Sequence, residues 1–485
     1  MTTAPTGIDS PERLREVMGA DFTFSDPQFD AISAPLEPGV VVAGAGSGKT
    51  AVMAARVAYL VASGRVAPQQ VLGLTFTTKA ANELGRRVRG ALAAAGWAGD
   101  DVVEPTVSTY HAYAASLLTE HGLRIGHEPD TRVIADASRY QLAARAVARY
   151  DGHVALLSEH LPTVVGWILA LDAQLCEHLC TPERLRSFDS RQRARFAAAL
   201  DTETSAGARK EVAKAIDAID RRAELLGLVD AYRRLKADLS LMDFGDQIAL
   251  AADLAERRPE VGQAQRDAFT VVLLDEYQDT SVAQAHLLSR LFSGPSPERG
   301  RGHPVTAVGD PNQAIYGWRG ASVSNIVHFA ADFPAADGGD VRRYSLSVNR
   351  RSDERILQVA NRLAAPLYAA GPGVHPLQPK AQALPGVVRA GCFETYPEEL
   401  GFLAREVRAA HQAMPQRAWS GIGVLTRDNA HAADVYDALT GAEIPVEIVG
   451  LSGLLRLPEV AEVVATLQLL HDLSANAAVL TLLTG

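Results

Sequence analysis

The sequence predicts an α/β architecture: a parallel sheet with crossover helices, interrupted by a helical insertion and followed by a second, incomplete α/β domain. Three observations predict it. Short apolar or β-branched runs alternate with helical stretches, giving expected strands at 39–43, 71–76, 104–109, 270–275 and 304–309. Each run ends in Gly-rich or polar residues, the pattern of a sheet whose ligand sits at the carboxyl ends of parallel strands. Residues 111–235 break the alternation, being rich in Ala, Leu, Arg and Glu at helical spacing.

A chain of 485 residues is too long for one core. Residues 1–110 and 236–340 are expected to form the first α/β domain, with 111–235 as its helical insertion. A second α/β pattern is expected over 341–466, with strands at 388–393 and 421–426, and residues 467–485 are expected to begin a second helical insertion. Gly- and Pro-rich loops are expected at 294–304 and 371–386.

Composition excludes several classes. The chain is 47% hydrophobic and 21% charged, and no apolar window reaches membrane-span length. The N-terminus has neither the basic start nor the apolar centre of an export signal. Three cysteines point to a reducing compartment, so a cytoplasmic protein is expected. Cys176 and Cys180 flank His178, but the further ligands of a zinc site are not evident nearby, and plain thiols are expected. A net charge of −10 argues against a uniformly basic surface and still permits a basic groove.

The chemistry begins at residue 43. Ala43, Gly44, Ala45, Gly46, Ser47, Gly48, Lys49 and Thr50 follow the apolar run Val40-Val-Val and precede a helical stretch. Glycines there let backbone N–H groups converge on phosphate oxygens. In this pattern Lys49 reaches the β- and γ-phosphates and Thr50 ligates magnesium, so ATP and Mg2+ are the expected ligands. A plain Gly-rich turn is the alternative, disfavoured by the strand before and the helix after. Further along, Val271-Val-Leu-Leu reads as a buried central strand delivering Asp275 and Glu276 to its end. Asp275 is placed to hold magnesium, and Glu276 to orient and deprotonate an attacking water.

Asp275-Glu-Tyr-Gln-Asp-Thr resembles motif II of the UvrD/Rep-type superfamily 1 DNA helicases. Other blocks follow in that family's order. Phe24-Ser-Asp-Pro-Gln28 resembles its adenine-reading Q motif, Thr75-Phe-Thr-Thr-Lys its motif Ia, and Ser108-Thr-Tyr-His-Ala-Tyr its motif Ib. Asp243-Phe-Gly-Asp resembles a block upstream of motif II. Val308-Gly-Asp-Pro-Asn-Gln-Ala-Ile-Tyr-Gly-Trp-Arg-Gly-Ala resembles motif III, Leu346-Ser-Val-Asn-Arg-Arg-Ser motif IV, and Val424-Leu-Thr-Arg-Asp-Asn-Ala a later block. The resemblance spans about residues 20–470 and implies RecA-like motor domains. It also implies that Gln28 reads adenine, that Gln313 senses the γ-phosphate, and that Arg351 is an arginine finger from the second motor domain. Phe76, Thr77, His111, Tyr316, Trp318 and Arg319 are implied to line a single-strand channel, where aromatic faces stack unpaired bases. Tyr110 and Tyr113 are expected to be structural.

The sequence departs from the family pattern in two places. Ala51 stands where the family often has Arg, and Arg350 where it usually has Tyr, the two residues that commonly sandwich adenine. Arg350 is expected to stack on the base, with base selectivity changed. No block resembling motifs V or VI is present, so the chain is expected to be the N-terminal part of a longer motor. The implied activity is ATP-dependent 3′→5′ helicase or translocase action on single-stranded DNA and duplex–single-strand junctions, in DNA repair or recombination. A motor subunit working with a nuclease or repair partner is one alternative. A nucleotide-dependent DNA-binding scaffold with little hydrolysis is another. A metabolic kinase is disfavoured, because motifs Ia and III have no role in one.

Overall fold

A computed structural model describes residues 7–97, 103–317, 320–370, 374–449, 458–473 and 475–484. The chain divides into two compact units, Met1–Gly386 and Val387–Gly485.

The first unit is built on a six-stranded, all-parallel sheet. Its strands are β1 (Gly39–Ala43), β2 (Val71–Thr75), β3 (Thr106–Thr109), β6 (Val271–Leu274), β7 (Val305–Gly309) and β8 (Arg342–Leu346), in the order β3-β2-β6-β7-β1-β8. Short two-residue pairs complete the set: β4 (Arg132–Val133) with β5 (Leu241–Met242), and β9 (Val348–Asn349) with β10 (Gln378–Pro379). The five expected strands of the first domain all form. Four of the six sheet strands, β1, β2, β6 and β7, are buried along their whole length. Such continuous apolar runs are what a sheet covered on both faces requires.

Two cores sandwich this sheet. One packs Leu72, Leu74, Val272 and Leu274 against the helices Tyr110–His121, Phe244–Arg257 and Val282–Phe292. The other packs Val41, Val271, Leu273 and Val308 against Lys49–Ala62 and Thr78–Ala94. The insertion has its own core, centred on Val165, Ile168, Leu226, Val229 and Tyr232. The helix Tyr110–His121 buries Tyr113, Ala114, Leu117 and Leu118 in the α/β core, so the separate helical cluster begins near Ile134. Arg342–Leu346, at the expected start of the second domain, pairs with β1 across five residues. Its outer residues are exposed because it is the edge strand, and that polarity hid it from a hydrophobicity reading.

The insertion is tied down by a buried charge cluster. Lys236 donates to Asp172 at 2.9 Å, Asp243 at 3.3 Å and Asp246 at 2.7 Å. Burial alone pushes the Lys236 pKa down, but the three carboxylates overcome it and hold the ammonium above its ordinary value. Cys176 is buried beside this cluster while His178 is exposed, so the two do not converge.

The second unit is smaller. Its helices Tyr396–Ala413 and Asn429–Gly441 pack around Val407, Leu439 and Ile444. The strands expected at 388–393 and 421–426 do not form. Neither segment has a ladder partner among the described residues, and Leu425 is 98% exposed. The helices Pro458–His471 and Asn476–Thr484 pack on each other. Among the described residues, no helix is long and apolar enough to cross a membrane.

Candidate nucleotide site and single-strand groove

The site lies where the strands of the main sheet end. β1 delivers the loop Gly44–Gly48, which turns into the helix Lys49–Ala62. Two glycines in the loop adopt left-handed φ, Gly46 at +69° and Gly48 at +90°. A Cβ on Gly46 would sit 2.6 Å from Asn349 Nδ2, because Asn349 donates to Ala45 O at 2.6 Å. The Ser47 hydroxyl is buried without a partner, an orphaned polar atom inside a loop whose N–H groups suit an anion.

β6 delivers Asp275 and Glu276. Asp275 is 3% exposed, and its Oδ1 accepts the Glu276 N–H at 3.0 Å. Burial, with the Glu276 carboxylate beside it, pushes the Asp275 pKa up to about 7, partly offset by Lys49 and that N–H. Such a carboxylate favours a bound cation over remaining a lone buried anion. With the Thr50 hydroxyl on the first helical turn, it makes a hard oxygen donor set of the kind magnesium takes.

Glu276 adopts left-handed φ of +48°, an uncommon conformation for a residue with a side chain. Its Oε2 lies 2.9 Å from Lys49 Nζ, so the acidic pair and the phosphate loop meet directly. The same oxygen accepts from Gln278 Nε2 at 2.8 Å. Gln278 is buried, and it branches. Its Nε2 also lies 3.2 Å from Asp279 Oδ2, while its Oε1 accepts the Asp310 N–H at 2.9 Å. Asp310 in turn accepts from Gln313 Nε2 at 2.6 Å. A continuous chain therefore runs Lys49–Glu276–Gln278–Asp310–Gln313 across the ends of β1, β6 and β7. It requires glycine at 309, because a Cβ there would lie 2.2 Å from Gln278 Oε1.

Gln28 sits on the other side of the loop. It is buried on the short helix Asp26–Ile32, with Nε2 donating to Ser47 O at 2.9 Å. Arg56, 2% exposed, secures that helix by donating to the carbonyls of Ile32, Ala34 and Pro35 at 2.9–3.1 Å. Burial pulls the Arg56 pKa down to about 10, which still leaves it charged at neutral pH. Arg350 also joins the loop. Its N–H donates to Gly46 O at 2.8 Å and its Nη2 to Gln28 Oε1 at 2.8 Å. Arg351 follows on the same turn, exposed, its N–H held by Asn349 Oδ1 at 2.8 Å. It lies within the first compact unit.

A cleft of about 750 Å³ opens at the ends of β2 and β3, lined in part by Phe76, Thr77, His111 and Phe244. Phe76 is half-buried and packs on Tyr316, with ring centroids 4.6 Å apart. His111 meets Phe244 edge to face at 5.8 Å. Asp279, which Gln278 contacts, lines the same cleft and accepts the Ile315 N–H at 3.3 Å. Trp318 and Arg319 lie outside the described residues. Tyr110 and Tyr113 are structural, as expected. Tyr110 Oη donates to Asp275 O at 2.9 Å, and Tyr113 Oη to Gln265 at 2.8 Å.

Sequence reasoning did not assign Gln278, Arg56, Asn349 or Phe244. Gln278 and Phe244 stand inside quoted motifs, and the aromatic between Asp243 and Asp246 was the available signal for the latter. Phe244 is 52% exposed, which is unusual for a large aromatic beside a core helix.

Comparison with known proteins agrees with this arrangement. Residues 24–334 match the family described as the UvrD/REP helicase N-terminal domain, and 344–485 match the UvrD-like helicase C-terminal domain. The chain is 28% identical over 467 residues to the ATP-dependent DNA helicase PcrA of Leuconostoc citreum, covering 94% of this chain and 53% of the relative. It is 30% identical over 436 residues to the ATP-dependent DNA helicase UvrD1 of Mycobacterium bovis, covering 90% and 51%. It is 31% identical over 466 residues to UvrD2 of the same organism, covering 93% and 59%. The chain thus spans about half the length of these relatives.

Proposed function

We propose that this chain, which belongs to the UvrD/REP helicase family, is the ATP-hydrolysing and strand-gripping part of a DNA helicase. In this reading the phosphate loop with Lys49 and Thr50 binds ATP, and Thr50 and Asp275 hold Mg2+. Magnesium supplies charge neutralisation on the phosphates. Glu276 orients the attacking water and takes its proton, and Arg351 neutralises charge on the transferred group. Phe76, Thr77, His111, Tyr316 and Phe244 hold unpaired bases in the cleft, with Trp318 and Arg319 continuing the track. Polarity of 3′→5′, a role in repair or recombination, and a cytoplasmic location rest on the family resemblance.

The carrying observation is the hydrogen-bond chain from Lys49 through Glu276 and the buried Gln278 to the buried Asp310 and Gln313. One branch of it, through Asp279, reaches the Ile315–Tyr316 backbone beside Phe76. A change of partner at Lys49 is therefore felt within a few bonds by the residues that line the cleft.

The test is ATP hydrolysis with and without single-stranded DNA, on the complete polypeptide. Strong stimulation by the strand is expected, and its loss in Lys49→Ala. A rate indifferent to DNA removes the helicase reading and leaves only a nucleotide-binding protein.

A further inference from the structure

The cleft at the ends of β2 and β3 has two walls of different origin. One carries Phe76, His111 and Phe244 from the α/β core. The other is the insertion helix Leu161–Glu177, which turns Ala170, Ala173, Gln174 and Glu177 toward the cleft. Those positions recur at helical spacing and share one face. Asp172 and Cys176, on the same helix, are buried beside the first turn of the helix Phe244–Arg257. Among the described lining residues Arg139 is the one basic side chain, and its Nε lies 3.1 Å from Asp243 Oδ2. The cleft offers aromatic rings and carboxylates rather than cations, which suits flat uncharged bases better than phosphates.

The spacing of the two walls rests on Lys236, which is 3% exposed. An ammonium has three N–H donors, and each here meets a different carboxylate. Asp172 belongs to the insertion wall, while Asp243 and Asp246 bracket Phe244 and Gly245. Asp243 accepts the Gly245 N–H at 3.0 Å, and Asp246 accepts the Asp243 N–H at 2.8 Å. That capping box fixes Phe244 on its own helix, but it does not fix the wall opposite. Arg233 pairs with Asp172 and Arg139 with Asp243, which balances the charges, yet neither pairs with both sides as Lys236 does. Cys176 Sγ reaches Asp246 at 3.8 Å, a weak thiol contact. The approach is close: a Cβ on Gly245 would stand 3.3 Å from Cys176 Cβ.

We propose that Lys236 is a positioning residue for strand binding: by gripping Asp172 and the Asp243–Asp246 pair at once, it sets the insertion helix at the distance from Phe244 that holds a base. The proposal rests on the reading that the cleft takes unpaired bases. It concerns only how the two walls are spaced.

The experiment is a fluorescence titration with a labelled oligothymidylate on the complete polypeptide, unaltered and as Lys236→Met, Phe244→Ala and the two combined. ADP affinity and the denaturation midpoint are measured on each. Phe244→Ala is expected to weaken the oligonucleotide about tenfold, the scale of one lost base stack. Lys236→Met is expected to weaken it about threefold to tenfold with ADP affinity unchanged. In the Phe244→Ala background it is expected to add less than about twofold, because residues acting as a unit are not additive. Lys236→Met also leaves a buried carboxylate unbalanced, which lowers stability. Lys236→Met with Asp246→Asn removes that imbalance, and the asparagine keeps an oxygen for the Asp243 N–H. This pair is expected to regain stability without regaining oligonucleotide affinity, and it carries the test if the single variant does not fold. Recovery of affinity along with stability overturns the proposal, as does unaltered affinity in a folded Lys236 variant or a fully additive loss with Phe244→Ala. Unaltered affinity in Phe244→Ala is a different result: it overturns the reading of the cleft, and this proposal with it.

Discussion

The two compact units each hold segments expected to be strands and treat them differently. In the first, Val271–Leu274 is flanked by β2 and β7 and buried along its length. In the second, residues 388–393 and 421–426 were expected as strands but are interrupted by Arg389, Gly391, Gly421 and Gly423; they form no ladder, and Leu425 and Val449 are almost fully exposed. A strand is a property of a pair. Its side chains gain from burial only when neighbours supply a surface, and its N–H and C=O groups are satisfied only by another backbone. The lesson is that apolar periodicity reports capacity to pair, and the surrounding chain decides whether that capacity is used.

Several measurements sharpen or break this contrast. The largest effect belongs to the chemistry, which is concentrated in the first unit. Lys49→Ala and Glu276→Gln are each expected to reduce DNA-stimulated hydrolysis by at least about a hundredfold. Glu276→Gln should still bind ADP and ATP by calorimetry, because it removes a base and a partner of Lys49 rather than the phosphate loop. Retained turnover in either variant moves the catalytic centre elsewhere.

Stability comes next. Leu274→Ala removes a fully buried side chain from the central sheet and is expected to cost about 2–5 kcal/mol, read by chemical denaturation. Leu425→Ala in the second unit should change stability by less than about 0.5 kcal/mol. Equal effects would show that the second unit packs this residue after all.

A smaller effect is expected at the cleft. Phe76→Ala should weaken binding of single-stranded DNA by about 1–3 kcal/mol in a fluorescence titration, with ADP affinity unchanged. Loss of nucleotide affinity in that variant would place Phe76 in the fold rather than the track.

The smallest effect concerns pH. The Asp275 pKa is raised to about 7 by burial, from an ordinary carboxylate value, so the folded protein holds this proton more tightly than the unfolded chain. That contribution is fully present below about pH 4 and is lost as pH rises through about 7. Without magnesium, Asp275→Asn is therefore expected to raise the melting temperature at pH 8 by roughly 2–5 °C, and to change it little at pH 4. A shift of the same size at both pH values would assign it to packing instead of charge.

Much of the first unit was legible because its strands are continuous apolar runs and its site residues cluster at strand ends. β1, β2, β3, β6 and β7 were all placed, and the phosphate loop and acidic pair meet as their motifs imply. β8 was missed because Arg342 and Arg343 face solvent at the sheet edge. Arg351, expected from the second motor domain, falls in the stretch that matches the UvrD-like helicase C-terminal domain and lies beside a turn bonded to the phosphate loop. The hydrogen-bond chain was not legible. Gln278 to Asp310 spans 32 positions and Asn349 to Ala45 spans 304, and no local pattern encodes such pairings. In the second unit the sequence supplied apolar segments, and what was wanting was a statement of their neighbours.

Gly309 has a consequence of its own. It is the last residue of β7, buried and paired with Val42 of β1. The space its missing methyl leaves is where the Gln278 carbonyl crosses to the Asp310 amide. Filling that space would push Gln278 off the Asp310 amide and disturb its hold on Glu276 Oε2 as well, so a single methyl at Gly309 reaches both ends of the hydrogen-bond chain.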